Sequence, residues 1–143
     1  MNRAKAQVNQ VLVGDRHLPH LADEKGQAMT DEKRDNAVVT IMFTDIVDST
    51  RVKAQIGDDA YKDVLDRHHT LVRKSIRGHH GEEIKTIGDS FFVQFSNPAN
   101  AVECGSEIQK KFSDTPIETG QGPLHVRIGL HTGTPIRYID PVS

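Results

Sequence analysis

The sequence predicts an α+β domain: a split βαβ, ferredoxin-like sheet in the order β-αα-β-β-α-β, with helices on one face. Three observations predict it. Runs rich in Val, Ile, Thr and Phe recur at residues 37–44, 90–95 and 126–130, each of strand length. Two intervening segments carry apolar residues at helical spacing. Gly88-Asp89 joins two strand-like runs so closely that they must form a hairpin.

Residues 1–36 read as a flexible leader. The stretches Asp23–Gly26 and Thr30–Asn36 are polar and lack an apolar period, although Val8 to Val13 has the character of a short helix or a strand laid on a partner. The ordered domain, residues 37–143, starts with a buried strand over 37–44. Asp48-Ser49-Thr50 is N-cap chemistry and opens a short helix. Gly57-Asp58 restarts a longer one, with an apolar stripe of Tyr61, Val64, Leu65, His68, Leu71, Val72 and Ile76; Gly78 or Gly81 ends it. Strands over 83–86 and 90–95 follow. Asn97 as N-cap and Pro98 as first helical residue start a third helix, which should bury Ala101, Val102, Ile108 and Phe112. A Pro/Gly-rich loop over 116–123 leads to a last strand over 126–130, stopped by Gly133 and Pro135.

In this topology the third strand lies between the first and second and runs antiparallel to both. The end of the first strand then adjoins the start of the third. Those points are Asp45 and Asp89, so two acids far apart in sequence become neighbours. Paired carboxylates at the mouth of a sheet, beside a polar turn that opens a helix, suit two-metal phosphoryl transfer. Taken singly, Asp45 reads equally well as a helix-capping acid and Asp89 as a hairpin-turn acid.

Composition narrows the class. A chain of 143 residues with 36% hydrophobic and 27% charged content holds one domain. A net charge of −2 gives no basic face for nucleic acid. The single cysteine, Cys104, excludes an internal disulfide and points to a reducing compartment. No apolar run approaches the roughly 18 residues of a membrane span, and Val11-Leu12-Val13 is too short for a signal peptide's core, so a cytoplasmic protein is expected.

Three blocks, Phe43-Thr-Asp-Ile-Val-Asp-Ser-Thr50, Ile84-Lys-Thr-Ile-Gly-Asp-Ser-Phe-Phe92 and Val126-Arg-Ile-Gly-Leu-His-Thr-Gly133, resemble the class III adenylyl and guanylyl cyclase catalytic domains. The spacing of Asp45 and Asp89 also matches that family's pattern. The resemblance implies that Asp45 and Asp89 hold two Mg²⁺ or Mn²⁺ ions, with the carbonyl of Ile46 completing one site. It implies further that amides of Ile46, Val47, Asp48, Ser49 and Thr50 cradle the β- and γ-phosphates of ATP; Arg51 stands just past that turn, within reach of phosphate by position alone. Lys85 would occupy the purine-selecting position, where its ammonium donates to adenine N1 and is refused by the N1–H of guanine. The bland alternative for Lys85 is a solvated strand lysine beside Glu82 and Glu83. In this family the purine pocket faces the metals of a partner, so the resemblance implies a homodimer or pairing with another cyclase chain.

Other residues carry less. His68, His69, His79 and His80 form two doublets without a third ligand at zinc spacing, and His17 and His20 fall in the leader. Cys104 reads as a packing residue, since nothing near it in sequence would activate a thiol. Arg127 and His131 are assigned to packing and hydrogen bonding. A diguanylate cyclase or polymerase palm shares the sheet, but the hairpin here reads Ile87-Gly-Asp-Ser-Phe91 and not Gly-Gly-Asp/Glu-Glu-Phe.

The chain ends at Ser143, before the Gly-x-x-Val-Asn-x-Ala-x-Arg segment, whose asparagine and arginine orient ribose and stabilise the transition state in these cyclases. The expectation is therefore a C-terminally truncated domain, weak or inactive alone, with apolar surface and a strand edge left uncovered. The alternative is a non-catalytic, cyclase-like module that binds nucleotide or pairs with a complete cyclase chain.

Overall fold

Alternation of burial along each central strand sets the architecture. In a computed structural model, which describes residues 37–135 and the backbone of Val11–Val13, β1 is Val11–Val13 and β2 is Val39–Ile46. Helix α1 (Ser49–Ile56) and helix α2 (Asp58–Gly78) precede the hairpin of β3 (Glu82–Ile87) and β4 (Ser90–Phe95). Helix α3 (Pro98–Asp114) and strand β5 (Val126–Gly133) complete the described chain.

The sheet order is β1-β5-β2-β4-β3. Within it β5, β2, β4 and β3 form an antiparallel ladder, so β4 lies between β2 and β3, as the split βαβ order requires. Strand β1 adds parallel to β5, with Val11 opposite Ile128. The sequence leads one to expect a helix or a strand on a partner over Val8–Val13; the described part is a strand on the chain's own sheet. The rest of the leader, and residues 136–143, lie outside the described residues.

Met42, Thr44 and Ile46 of β2, Phe91, Val93 and Phe95 of β4, and Val126, Ile128 and Leu130 of β5 all face the helices and are buried. They meet Val64, Val72 and Ile76 of α2 and Ala101, Cys104, Ile108 and Phe112 of α3 in one core. Ile117 and Leu124 close it from the loop, held by the Leu124 amide donating to the Ile117 carbonyl at 2.8 Å. Among the described residues no helix covers the opposite sheet face. On it Phe43 and Phe92 pack edge to face, 5.0 Å between centroids.

The helix ends follow local chemistry. Asn97 caps α3 by accepting from the Ala99 amide at 2.9 Å, with Pro98 in the first turn. Gly78 ends α2, but the left-handed residue beyond it is His80 (φ 59°), not a glycine. The amides of His80 and Gly81 turn back to the carbonyls of Arg77 and Ile76, closing a Schellman motif. Two expectations are corrected. Val102 is 38% exposed, and α3 instead buries Cys104, Gly105 and Gln109 on its sheet-facing stripe. Asp48 stands at the N-cap of α1 in a left-handed conformation (φ 52°) without a capping side-chain bond, so its carboxylate is not spent on the helix.

Candidate active site

Strand β2 ends beside the β3–β4 turn, and this places the two acids. The β2–β4 ladder runs out at Thr44 opposite Phe91. Beyond it, the Val47 amide points toward β5 and donates to the His125 carbonyl at 2.9 Å. The Ile46 amide points the other way, and the Asp89 carboxylate accepts its hydrogen at 2.8 Å. Asp89 is thus bonded to the residue that follows Asp45. The turn that carries it has two residues, with Gly88 at φ 57° and Asp89 on the ordinary side, the φ pattern of a type II′ hairpin.

Asp45 faces the open side of the sheet opposite Arg127 of β5. The guanidinium donates to both carboxylate oxygens, Nε to Oδ1 at 2.8 Å and Nη2 to Oδ2 at 3.0 Å. That contact, with the negative charges of Asp45, Asp48 and Asp89, raises the Arg127 pKa further above its ordinary value. Asp45, Ile46, Asp48, Ser49, Thr50, Arg51, Asp89, Ser90 and Arg127 line a cleft of about 650 Å³ at the start of α1. For Tyr61 of α2, burial first, then the charge of Asp89, pushes the hydroxyl pKa upward, and the nearby Ser49 hydroxyl opposes the rise.

The five amides expected to cradle phosphate therefore divide. Those of Ile46 and Val47 are already donated to Asp89 and His125. The first-turn amides of α1 have no intrahelical partner, and their residues line the cleft. Lys85 does not line it. The register of β3 slips between Glu83 and Lys85, so Ile84 is an extra, bulged residue. Glu83, opposite Val93, keeps to the helix side, where Arg73 grips it at 3.0 and 3.0 Å. Lys85 falls opposite Phe92 and so shares the open face. Without the bulge it would sit on the same side as Glu83.

Among the described residues no group of three or more His, Cys, Asp or Glu side chains is arranged to hold an ion unaided. Mg²⁺ is commonly held by one or two carboxylates with water and substrate phosphates as the other ligands, so Asp45, Asp89 and a backbone carbonyl fit that donor set. Three acids against two arginines also leave the cleft net negative.

The remaining candidates scatter. His68 is fully buried, its ring 5.9 Å from Phe91 and 5.8 Å from Phe112. His69 meets the Gly88 carbonyl, while His79 bonds the Ser75 carbonyl near Glu107. Cys104 is buried, and burial foremost pushes its thiol up to about 12, which leaves it a packing residue. Arg127 is the residue that sequence reasoning undervalued: it sat inside a motif block, but its partner is visible only in the strand register.

Residues 31–140 match the family described as the adenylate and guanylate cyclase catalytic domain. The chain belongs to that family. It is 32% identical over 123 residues to an adenylate cyclase of Lachancea kluyveri, covering 73% of this chain and 7% of that protein. It is 37% identical over 87 residues to the receptor-type adenylate cyclase GRESAG 4.3 of Trypanosoma brucei brucei, covering 61% of this chain and 7% of that one. This cyclase domain thus spans a small fraction of the curated relatives. A structure of Trypanosoma brucei adenylate cyclase in its monomeric state superposes with a TM-score of 0.65 at 27% identity, over 76% of this chain and 62% of that one. The guanylate cyclase domain from Catenaria anguillulae, solved with GTP, shares the fold alone, at TM-score 0.61 and 20% identity, over 68% and 57% of the two chains. Among the described residues no helix is long and apolar enough to cross a membrane.

Proposed function

We propose that this cyclase domain forms one side of an adenylate cyclase active site, which converts ATP to 3′,5′-cyclic AMP and pyrophosphate in intracellular signalling. The observation that carries the reading is the bond from the Ile46 amide to Asp89, which sets the two acids at one cleft edge beside a helix N-terminus. Asp45, Asp89 and the Ile46 carbonyl would hold Mg²⁺ or Mn²⁺. When bound, the ions would supply Lewis-acid activation of the ribose 3′-hydroxyl and neutralise the triphosphate.

The chain's own residues do the rest. First-turn amides of α1, from Asp48 to Thr50, receive phosphate oxygens. Arg127, which holds Asp45 in the structure, would offer its guanidinium to a phosphate oxygen if Asp45 served a cation instead. Lys85, on the open face, selects adenine in the site of a second cyclase domain, either another copy or a different cyclase chain. That face offers Phe43, Phe92 and the neighbouring exposed Ile84 and Ile87 of β3 for such pairing. A single buried cysteine suits a reducing, cytoplasmic setting.

A non-catalytic module that pairs with a complete cyclase is the second reading. One observation favours it: both Asp45 oxygens are already clasped by Arg127. The test is Mn²⁺-dependent ATP binding by calorimetry, run beside cyclic AMP formation. The catalytic reading expects both in the parent and neither in Asp45→Ala or Asp89→Ala. Unchanged ATP affinity in the variants refutes the site. Binding without turnover, even with a complete cyclase partner supplied, selects the second reading.

A further inference from the structure

The turn that carries Asp89 has little support of its own. Strand β3 is the sheet's outer strand, largely exposed and bulged at Ile84. Gly88 and Asp89 form a two-residue loop beyond the last β3–β4 pair, Ile87 opposite Ser90. What braces the hairpin is α2. Arg73 grips Glu83 and also lies over the Phe91 ring, 5.2 Å from its centroid. One turn earlier on the same helix, His69 reaches the loop itself: Nε2 lies 2.9 Å from the Gly88 carbonyl oxygen. A carbonyl only accepts, so Nε2 carries the hydrogen, and this contact fixes the tautomer. The imidazole is steadied by an edge-to-face contact with Phe91, 5.1 Å between centroids at 89°.

We propose that His69 is a positioning residue for the candidate metal-binding acid: its Nε2–H holds the Gly88 carbonyl, and so sets the peptide that presents Asp89 to the Ile46 amide. The contact runs from α2 to Gly88, from Gly88 to Asp89, and from Asp89 to the end of β2. Of the two candidate metal-binding acids it acts on the one that no described cation clasps, since Arg127 is committed to Asp45. Helix α2 is then the element that transmits its own placement to the cleft. The inference rests on Asp89 as a metal-binding acid only for its consequence, not for its geometry.

The experiment compares His69→Phe with His69→Gln. Phenylalanine keeps a ring on Phe91 but has no hydrogen to donate; glutamine restores an N–H donor. Amide hydrogen exchange of Ile46, read by NMR without metal, is the direct readout. Mn²⁺ affinity, read by the loss of free-ion EPR signal, is the second. In His69→Phe, Ile46 exchange should accelerate about tenfold or more, because its acceptor is no longer held, and Mn²⁺ binding should weaken several-fold. His69→Gln should recover most of both. Met42 and Val93 amides, deep in the β2–β4 ladder, should keep parent exchange rates in each variant. Unchanged Ile46 exchange in His69→Phe, or His69→Gln no better than His69→Phe, overturns the proposal. Uniform acceleration that includes Met42 and Val93 also overturns it, since it would mark a merely structural residue. Should the parent bind no Mn²⁺, the metal reading fails alone, and Ile46 exchange still decides the role of His69.

Discussion

Arg127 and Asp45 stand directly opposite in the β2–β5 ladder and are joined by two parallel hydrogen bonds, at 2.8 and 3.0 Å. The acid that would ligate a cation is therefore already neutralised by one of the chain's own. Arg127 is 63% exposed and Asp45 17%, so the pair is one that solvent and a metal ion can both contest.

Removing the guanidinium should separate two effects. In Arg127→Ala, Mn²⁺ alone should bind more tightly, by about 3- to 10-fold, because a competing positive charge is gone. ATP in the presence of saturating Mn²⁺ should bind more weakly, because a phosphate partner is gone. Calorimetric titrations with and without nucleotide read both; weaker binding of the metal alone would show that Arg127 supports the site only by holding Asp45 in place.

Lys85 should govern purine choice without governing stability. It is exposed on the open face and makes no part of the core. Lys85→Glu should leave Tm within a degree or two and reduce the preference for ATP over GTP by about tenfold, the equivalent of one good hydrogen bond. Competition between the two nucleotides in a two-domain assembly measures this, and unaltered selectivity removes Lys85 from the purine site.

His68 should make the domain acid-sensitive. Burial foremost, then the neighbouring His69, lowers its pKa from 6.5 to about 3, and neither ring nitrogen has a hydrogen-bond partner among the described residues. The folded value lies below the unfolded one, so the unfolded chain binds more protons between pH 6.5 and 3. The stability is intact above 6.5 and is lost as pH falls through that window. Between pH 7 and 5 the loss from this group should be about 2 kcal/mol. Urea unfolding of the parent and of His68→Leu at both pH values tests it: the parent should lose more, and equal losses would assign the acid sensitivity elsewhere.

Two glycines at the end of α2 should respond oppositely to alanine. A Cβ on Gly81 would fall 2.8 Å from Phe95 ring carbons and 2.9 Å from Ile76, both buried and unable to yield. Gly81→Ala should destabilise by about 1–3 kcal/mol. At Gly78 nothing lies within 4 Å, and the residue is helical, so Gly78→Ala should stabilise by roughly 0.5–1 kcal/mol. Thermal or urea unfolding decides, and the same sign at both positions would contradict the packing at Gly81.

From residue 37 onward the sequence by itself determined the elements and their order; strand β1 was not among them. The period of α2, the Asn97-Pro98 start of α3, the Gly88-Asp89 hairpin and the three motif blocks are relations between residues a few positions apart, and local propensity writes them into the chain. Topology followed, and with it the approach of Asp89 to the end of β2. What only the tertiary structure decided depends on register and on competition for partners. A bulge at Ile84 turns Lys85 onto the open face, and a single-residue slip has no signature in side-chain pattern when β3 is exposed on nearly every residue. Arg127 finds Asp45, and not solvent, because two strands far apart in sequence align those two positions. The amides of Ile46 and Val47, expected to face phosphate, are bonded within the domain because Asp89 and His125 reach them first. Propensity belongs to one segment, whereas these bonds belong to pairs of segments and exist only once the sheet has closed.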